Sequence, residues 1–466
     1  MLGDGAATGG WAGEAMTRPL KTIRDIVERQ LCCGCGACAY VDPGRIHMVD
    51  DARSGRRPLV NGGPGGQTDD SHDPAALAVC PGIHLEHAFD RRDPGLVYEL
   101  MSAWGPVREV WEGYAADPKL RFAGSSGGAA SALALFCIEQ LSFHGVLHIT
   151  ARPDVPYLNH TVLSATRSEI LERTGSRYAP ASPCDGLRMI EDAPGPCVFI
   201  GKPCDVAGVQ MARRLRPQLD RNIGLTIAFF CAGTPTTRAT LALLGHMGVD
   251  DPSRVVSLRY RGHGWPGRCV VTFVDADGKL AERSLSYEES WGLLARDKQW
   301  RCHICPDHTG EFADIAVGDA WHRTPQPGDA GRSLVLARTP RGRDILAAAR
   351  QAGVLCLAAA APDVLWPARS GQKKDRGALW GRRLALRLLG LPVPRQVSFP
   401  TFRFWLTELS LGGKIRSVLG TIRRVFRGRL HRPQLVTAYE PLTPLINRPS
   451  PQPARGDTNL VECLRE

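Results

Sequence analysis

The chain has 466 residues, 43% hydrophobic and 23% charged, and carries a formal net charge of +11; this length suits two or three domains with a sizeable core. No apolar run approaches the roughly 20 residues needed to cross a bilayer, and the N-terminus lacks the apolar segment behind a basic start that marks an export signal. A membrane-spanning or exported protein is therefore not expected. Fifteen cysteines without an export signal argue for a reducing compartment, the cytoplasm by default, and for metal binding rather than a disulfide framework.

Residues 1–24 read as a flexible leader. A cysteine-bearing module follows over 25–92, with Leu31-Cys-Cys-Gly-Cys-Gly-Ala-Cys38 and, much later, Cys80-Pro81. Cys32, Cys35 and Cys38, each two residues apart, with a distant cysteine before a proline, have the spacing that wraps a 4Fe-4S cluster. A cubane needs four soft thiolates converging from different directions, and Gly34 and Gly36 let backbone pass close to it. Cys33 is an extra thiol that could exchange with Cys32. The competing reading is a structural four-cysteine zinc site, which rarely crowds three cysteines this tightly. Residues 61–73, rich in Gly, Pro and Asp, read as loop.

Residues 93–366 form the central segment. Gly124-Ser-Ser-Gly-Gly-Ala-Ala-Ser131 opens into a helix over 129–140, strands are expected at 146–151, 196–201, 223–231 and 314–319, and helices at 167–174, 206–215 and 234–245. Strands alternating with helices at this interval favour a parallel α/β layer, whereas 255–261 and 269–275, with Asp277-Gly278 as a turn, suggest an antiparallel patch. Cys204 and Cys231 sit where buried strands end, the place where ligands gather in such sheets, and Cys302-His-Ile-Cys305 is a further pair. By spacing alone these four could hold a second cluster, a zinc ion with His303 or His308, a redox dithiol, or nothing. The loop Ser125, Ser126, Gly127, Gly128, Ser131 places backbone N–H groups and hydroxyls at a helix start, suited to phosphate or a flavin edge. Ser176, Arg177 and Tyr178 could clamp a phosphate and stack on a flat ring. Cys137, Cys184, Cys197, Cys269, Cys356 and Cys463 read as structural. No histidine pair has metal spacing.

Over 367–447 the pattern becomes Arg- and Leu-rich helix broken by prolines, and 448–466 reads as a disordered tail. Between 381 and 432 lie twelve Lys or Arg against the single acid Glu408, so twelve minus one accounts for the whole excess of +11. The plain reading is a solvated helix face. Docking on an anionic membrane comes next, since Phe399, Phe402, Phe404, Trp405, Leu406 and Leu409 interleave with arginines; nucleic-acid binding is least favoured, with no accompanying fold motif.

Taken in order, Cys-x-x-Cys-Gly-x-Cys, Ser-Ser-Gly-Gly-x-x-Ser-Ala-Leu, Gly-Ser-Arg-Tyr, Gly-x-Pro-Cys, Cys-x-Gly-x-Pro, Cys-x-x-Cys-x-Asp and Ala-Asp-Ile-x-x-Gly-Asp resemble the beta subunit of coenzyme F-420-reducing hydrogenases and dehydrogenases. That wider family includes ferredoxin-dependent chlorophyll-pathway reductases, and the similarity spans about residues 28 to 365. The resemblance implies FAD and one or two 4Fe-4S clusters, with Cys204, Cys231, Cys302 and Cys305 as ligands of the second. It also implies that Ser125 to Ser131, Ser176 to Tyr178 and Lys202 line the flavin pocket. The expected class is mixed α/β: a ferredoxin-like iron–sulfur module, a flavin-binding core and a basic helical extension. The implied function is an oxidoreductase joining a ferredoxin-type donor to a small-molecule two-electron acceptor. An electron-transfer subunit without its own substrate site, or a metal-stapled protein binding anionic surfaces, are the alternatives. Gly201-Lys-Pro-Cys-Asp205 departs from the family's usual Gly-Thr-Pro-Cys-Gln, and the added Lys202 could pair with an anionic cofactor.

Overall fold

A computed structural model describes residues 20–61 and 74–441. The leader up to residue 19, most of the 61–73 loop and the 448–466 tail with Cys463 lie outside those residues.

The centre is an eight-stranded mixed sheet built from β1 (Glu109–Ala115), β2 (Gly145–Ala151), β3 (Asn159–Ser164), β4 (Cys197–Gly201), β5 (Ile223–Phe229), β6 (Ile315–Asp319), β7 (Ser333–Ala337) and β8 (Leu355–Ala359), in the spatial order β8-β1-β7-β6-β5-β4-β2-β3. The pairs β2/β4, β4/β5 and β5/β6 are parallel, as the alternating pattern predicts. The flanking β3, β7, β1 and β8 add on antiparallel. Parallel strands are buried on both faces and therefore read as continuous apolar runs. Accordingly Leu225, Ile227 and Ala228 of β5 are fully buried. Helix α1 (Ala129–Gln140) packs on one face through Leu133, Phe136 and Cys137 against Val198 and Ile227. Helix α2 (Pro203–Leu215) covers the other with Val206 and Val209 against Phe199.

Strands at Val255–Arg259, Arg268–Val274 and Leu280–Ser286 form the expected antiparallel patch. It closes over the helices Thr237–His246 and Tyr287–Leu294, with Leu243, Cys269, Val271 and Leu294 in one core.

The cysteine module consists of short helices at Ile23–Glu28, Ala37–Val41 and Pro74–Ala78, and a hairpin pairing Ile46–Asp51 with Gly55–Val60. The C-terminal extension supplies α3 (Gln372–Leu388), α4 (Thr401–Thr407) and α5 (Leu411–Arg427). Leu379, Leu386 and Val425 share a core with Ile23, Ile26 and Leu31, and strand Arg395–Val397 pairs in parallel with His84–Glu86. The first and last parts of the chain thus bury apolar surface together. Arginine-rich composition hides this, because Arg stems pack while their heads find carbonyls. Arg382, within the basic stretch, donates to the His303 carbonyl at 2.6 Å.

Candidate functional site

The cysteine loop 31–38 turns through Gly34 (φ +71°) and Gly36 (φ +91°), and a Cβ on them would meet Arg56 O and Asp185 N, each at 2.7 Å. The glycines are thus required by neighbouring backbone rather than by proximity to sulfur. Cys184 N donates to Cys35 O at 2.9 Å and Ser182 Oγ to Gly34 O at 2.7 Å, docking the loop on the central segment.

Around one small cavity lie Cys32, Cys33, Cys35, Cys38 and Cys80. Burial, then the neighbouring thiols Cys32 and Cys35, push Cys80 up to about 12 and Cys38 well above its ordinary value. Gly34 N donates to Cys32 Sγ at 3.3 Å. The extra thiol is placed differently from its sequence neighbour: Cys33 hydrogen-bonds Cys204. Cys184, read from sequence as structural, is fully buried against Cys35 and donates to Asp205 O at 3.3 Å.

The second set assembles from loops that follow the central strands. After β4, Lys202 is the N-cap of α2, Pro203 its first residue and Cys204 stands in its first turn. After β5, Cys231 N donates to His308 O at 2.9 Å. Gly233 N donates to Cys231 Sγ at 3.4 Å and Thr234 N to Cys302 Sγ at 3.3 Å. Gly233 has φ +108° and a Cβ there would lie 2.9 Å from Lys298 and 3.2 Å from Cys302, so only glycine lets the two loops close. Burial, then Cys302 and Cys204, push Cys231 up to about 12. Cys305 is raised well above its ordinary value by burial, with Cys204 and Cys302 contributing. His308, a rival ligand on spacing alone, points Nδ1 at Cys231 O (3.0 Å), and burial drops its imidazole to about 3.

Burial first, and then neighbouring thiols, raise Cys32, Cys38, Cys80, Cys231 and Cys305, whereas a hydrogen bond from Cys184 lowers Cys35; buried soft donors of this kind suit a soft cationic core. The three N–H···S bonds would further stabilise thiolate. Among the described residues, no group of three or more His, Cys, Asp or Glu is drawn together for a single metal ion.

Arg301 joins the two sets. Its buried guanidinium donates to Pro81 O (3.0 Å) and Gly82 O (3.2 Å) beside Cys80, and to Ile304 O (3.1 Å) beside Cys305. Burial opposes its charge, but Cys33, Cys305, Cys204 and Cys302 around it raise its pKa. A second tie runs from Arg57 to Gln299 Oε1 at 3.3 Å; Gln299 caps the helical turn Trp300–His303 that carries Cys302. Neither Arg301 nor Arg57 was singled out by sequence reading, since neither lies in a motif.

A cavity of about 330 Å³ opens at the C-terminal ends of β4, β5 and β6 and the start of α1. Ser125, Ser126, Gly128, Ser131, Ser176, Arg177, Tyr178 and Lys202 all line it; Gly127 does not. The two loops meet where Ser176 N donates to Ser125 Oγ at 2.8 Å. The Arg177 guanidinium is spent on Pro156 O (2.7 Å), Leu158 O (3.3 Å) and Leu258 O (3.1 Å), bracing the wall. Lys202 Nζ is held by Asp205 Oδ1 at 2.6 Å and Ala181 O at 3.3 Å. Burial favours the neutral amine, but Asp205 and Cys204 outweigh it and keep the ammonium charged. Its charge is therefore answered inside the protein.

The cavity's other wall was missed. Arg261 reaches Asp319 at 3.0 Å and the Tyr178 hydroxyl at 3.3 Å, and Trp265 Nε1 donates to Asp319 at 2.9 Å. Tyr287 lies under the Arg261 guanidinium, 4.5 Å away, and stacks on Trp321 with ring centroids 5.3 Å apart. The repeated glycines of Gly262-His-Gly264 and the Trp after Asp319-Ala were the available signals. Asp307 accepts from Thr309, Gly310 and Glu311 N–H groups and so shapes the loop behind Cys305. At the far end the same cavity is walled by Cys231, Ala232, Gly233 and Thr234. Aromatic pocket and second thiol set share a wall.

This is the site of an α/β protein that sets a pocket at strand ends against one set of cysteine side chains, with a second set in the N-terminal module. Residues 110–187 match the family described as coenzyme F420 hydrogenase/dehydrogenase, beta subunit N-term, and residues 196–363 match the companion description for the C terminus of the same beta subunit. The chain belongs to the coenzyme F420 hydrogenase/dehydrogenase beta subunit family. It is 24% identical over 249 residues to the F420-dependent formate dehydrogenase 1 subunit beta of Methanococcus maripaludis, covering 53% of this chain and 60% of that protein's length. It is 24% identical over 313 residues to the F subunit of the F(420)H(2) dehydrogenase of Methanosarcina mazei, covering 64% of this chain and 80% of the relative. A chain of the F420-reducing [NiFe] hydrogenase complex from Methanosarcina barkeri aligns with TM-score 0.47 and 19% identity over 63% of this chain and 95% of that one.

Proposed function

We propose that the protein is an iron–sulfur flavoprotein oxidoreductase of the cytoplasm, passing electrons from a ferredoxin-type donor to an organic two-electron acceptor. Cys32, Cys35, Cys38 and Cys80 would hold one 4Fe-4S cluster, and Cys204, Cys231, Cys302 and Cys305 a second. FAD would occupy the cavity at the strand ends. Bound clusters supply single-electron transfer, and a flavin links it to two-electron chemistry. The chain's own contribution is placement. Arg301 would compensate the negative charge of bound thiolate clusters, and its hydrogen bonds hold the Pro81-Gly82 and 301–305 loops at a fixed separation. Tyr178, Tyr287 and Trp321 offer flat surfaces for a ring system, while Ser126 and Ser131 at the start of α1 lie where a helix N-terminus favours an anion.

The observation that carries this reading is the shared wall: Cys231 to Thr234 belong at once to the second thiol set and to the cavity. The test is an anaerobic preparation with iron, sulfide and flavin counted per chain. About eight irons and one FAD are expected from two cubanes and one pocket; zinc without sulfide or flavin overturns the reading. A second reading, an electron-transfer subunit feeding a partner enzyme, is favoured by the relatives, which are named as subunits. Reduction of a partner by protein that turns over no free acceptor would select it.

A further inference from the structure

The C-terminal helices leave their apolar side in solvent. Helix α5 faces the protein with Ser417, Thr421 and Val425, which are buried. Ser417 accepts from Trp405 Nε1 at 3.2 Å, and a Cβ on Gly381 of α3 would lie 1.9 Å from Ser417 Oγ, so small residues set this close packing. At about 100° per residue, Leu411, Ile415, Leu419 and Phe426 fall within an arc of about 80° elsewhere on the helix. They are 75%, 50%, 59% and 55% exposed. A helix in a soluble protein turns such an arc inward; α5 turns it outward. Helix α4, packed on α3 beside it, also exposes Phe402 and Leu406, one turn apart, whereas Phe399 and Phe404, expected from sequence on the same docking face, are buried in the core.

Next to the apolar arc on the helix circumference come Arg416, Arg423 and Arg427. From 411 to 432 the chain has seven Lys or Arg and no Asp or Glu. A second copy of the chain is a poor occupant, because a two-fold interface would set this cationic stretch against itself. An anionic bilayer matches both parts of the surface: apolar side chains enter the boundary of the acyl region, and flanking cations meet lipid phosphates. Among the described residues no helix is long and apolar enough to cross a membrane, so the contact is one of lying on the surface.

We propose that α5, assisted by Phe402 and Leu406 of α4, is a peripheral docking surface for an anionic lipid bilayer. Its basis is separate from the cofactor reading, and either can fail alone. The test is flotation of the full chain with vesicles of phosphatidylcholine alone and with about one-third phosphatidylglycerol, at about 0.1 M salt where screening extends about 10 Å. Wild type should bind the anionic vesicles at least about tenfold more strongly than the neutral ones. Ile415→Glu with Leu419→Glu should reduce that binding about tenfold or more, with the melting temperature unchanged because both positions are exposed. Arg423→Gln with Arg427→Gln should weaken binding to anionic vesicles only. Failure of wild type to float, or equal flotation of wild type and the Ile415→Glu, Leu419→Glu protein, overturns the proposal. So does a doubled molecular mass in solution that those substitutions abolish, since a second copy would then be the occupant.

Discussion

The two thiol sets are assembled by opposite routes. Cys32, Cys35 and Cys38 come from one glycine turn and are joined by Cys80 from the same module, whereas Cys204, Cys231, Cys302 and Cys305 come from three loops that meet only because β4 and β5 lie side by side. A local set needs few long-range contacts to form. A dispersed set depends on the sheet and on neighbours such as Gly233, but it gains a position against the large cavity. Under the proposed function, electrons would enter at the local set and reach the cavity through the dispersed one.

Ligand removal breaks this comparison most sharply. Cys80→Ser should lose about four irons per chain and keep its flavin, whereas Cys231→Ser should lose about four irons and also weaken flavin retention, because Cys231 walls the cavity. Iron and flavin counts on the two purified variants decide it; identical losses would erase the distinction between the sets.

The frame behind both sets is the next target. Glu311 is fully buried, paired with Arg376 and with His87 Nε2 at 2.9 Å. Burial would raise its carboxyl, but Arg376, then His87 and Arg338, hold it down at about 2 against an ordinary 4.5. A depressed carboxyl contributes stability above its unfolded value, so this contribution is full above about pH 4.5 and drains away as pH falls toward 2. Glu311→Gln should cost about 3–5 kcal/mol in denaturant unfolding by leaving buried guanidinium groups unpaired, and should flatten the acid limb of the stability profile. An unchanged acid limb would mean that Glu311 does not set it.

Arg301→Gln tests the link between the sets. Removing a buried positive charge near both should lower both reduction potentials, by on the order of 100 mV, in an EPR-monitored redox titration with iron content unchanged. A shift of one potential alone would place Arg301 with a single set. The smallest effect is expected at Cys356. Its apolar sequence context suggests a core thiol, but it is exposed on β8, at the sheet edge. Cys356→Ser should leave iron content intact and stability within about 0.5 kcal/mol, as followed by metal analysis and thermal melting.

Much of the core was legible because parallel strands advertise themselves as apolar runs between helices. The antiparallel additions were not: β1 pairs with β7 and β8 far along the chain, so nothing local announces these pairings, and β3, though it follows its partner β2, lacks the continuous apolar run of the parallel centre. Cys137, Cys197 and Cys269 are fully buried, as their apolar settings imply. Of the cavity, the serine and glycine loops could be read because their conformations demand those residues, whereas Arg261, Tyr287 and Trp321 could not. Arginine and aromatic residues occur in every kind of surroundings.

By itself the sequence determined the local thiol set, the parallel centre of the sheet and the cationic character of the last helices, since spacing, periodicity and charge are properties of neighbours along the chain. Only the tertiary structure decided that Cys33 faces Cys204, that Arg301 stands between the two sets, that Lys202 is satisfied by Asp205, and that α5 turns its apolar arc outward. Those outcomes depend on which distant groups exclude water from one another, and burial is a property of the folded whole.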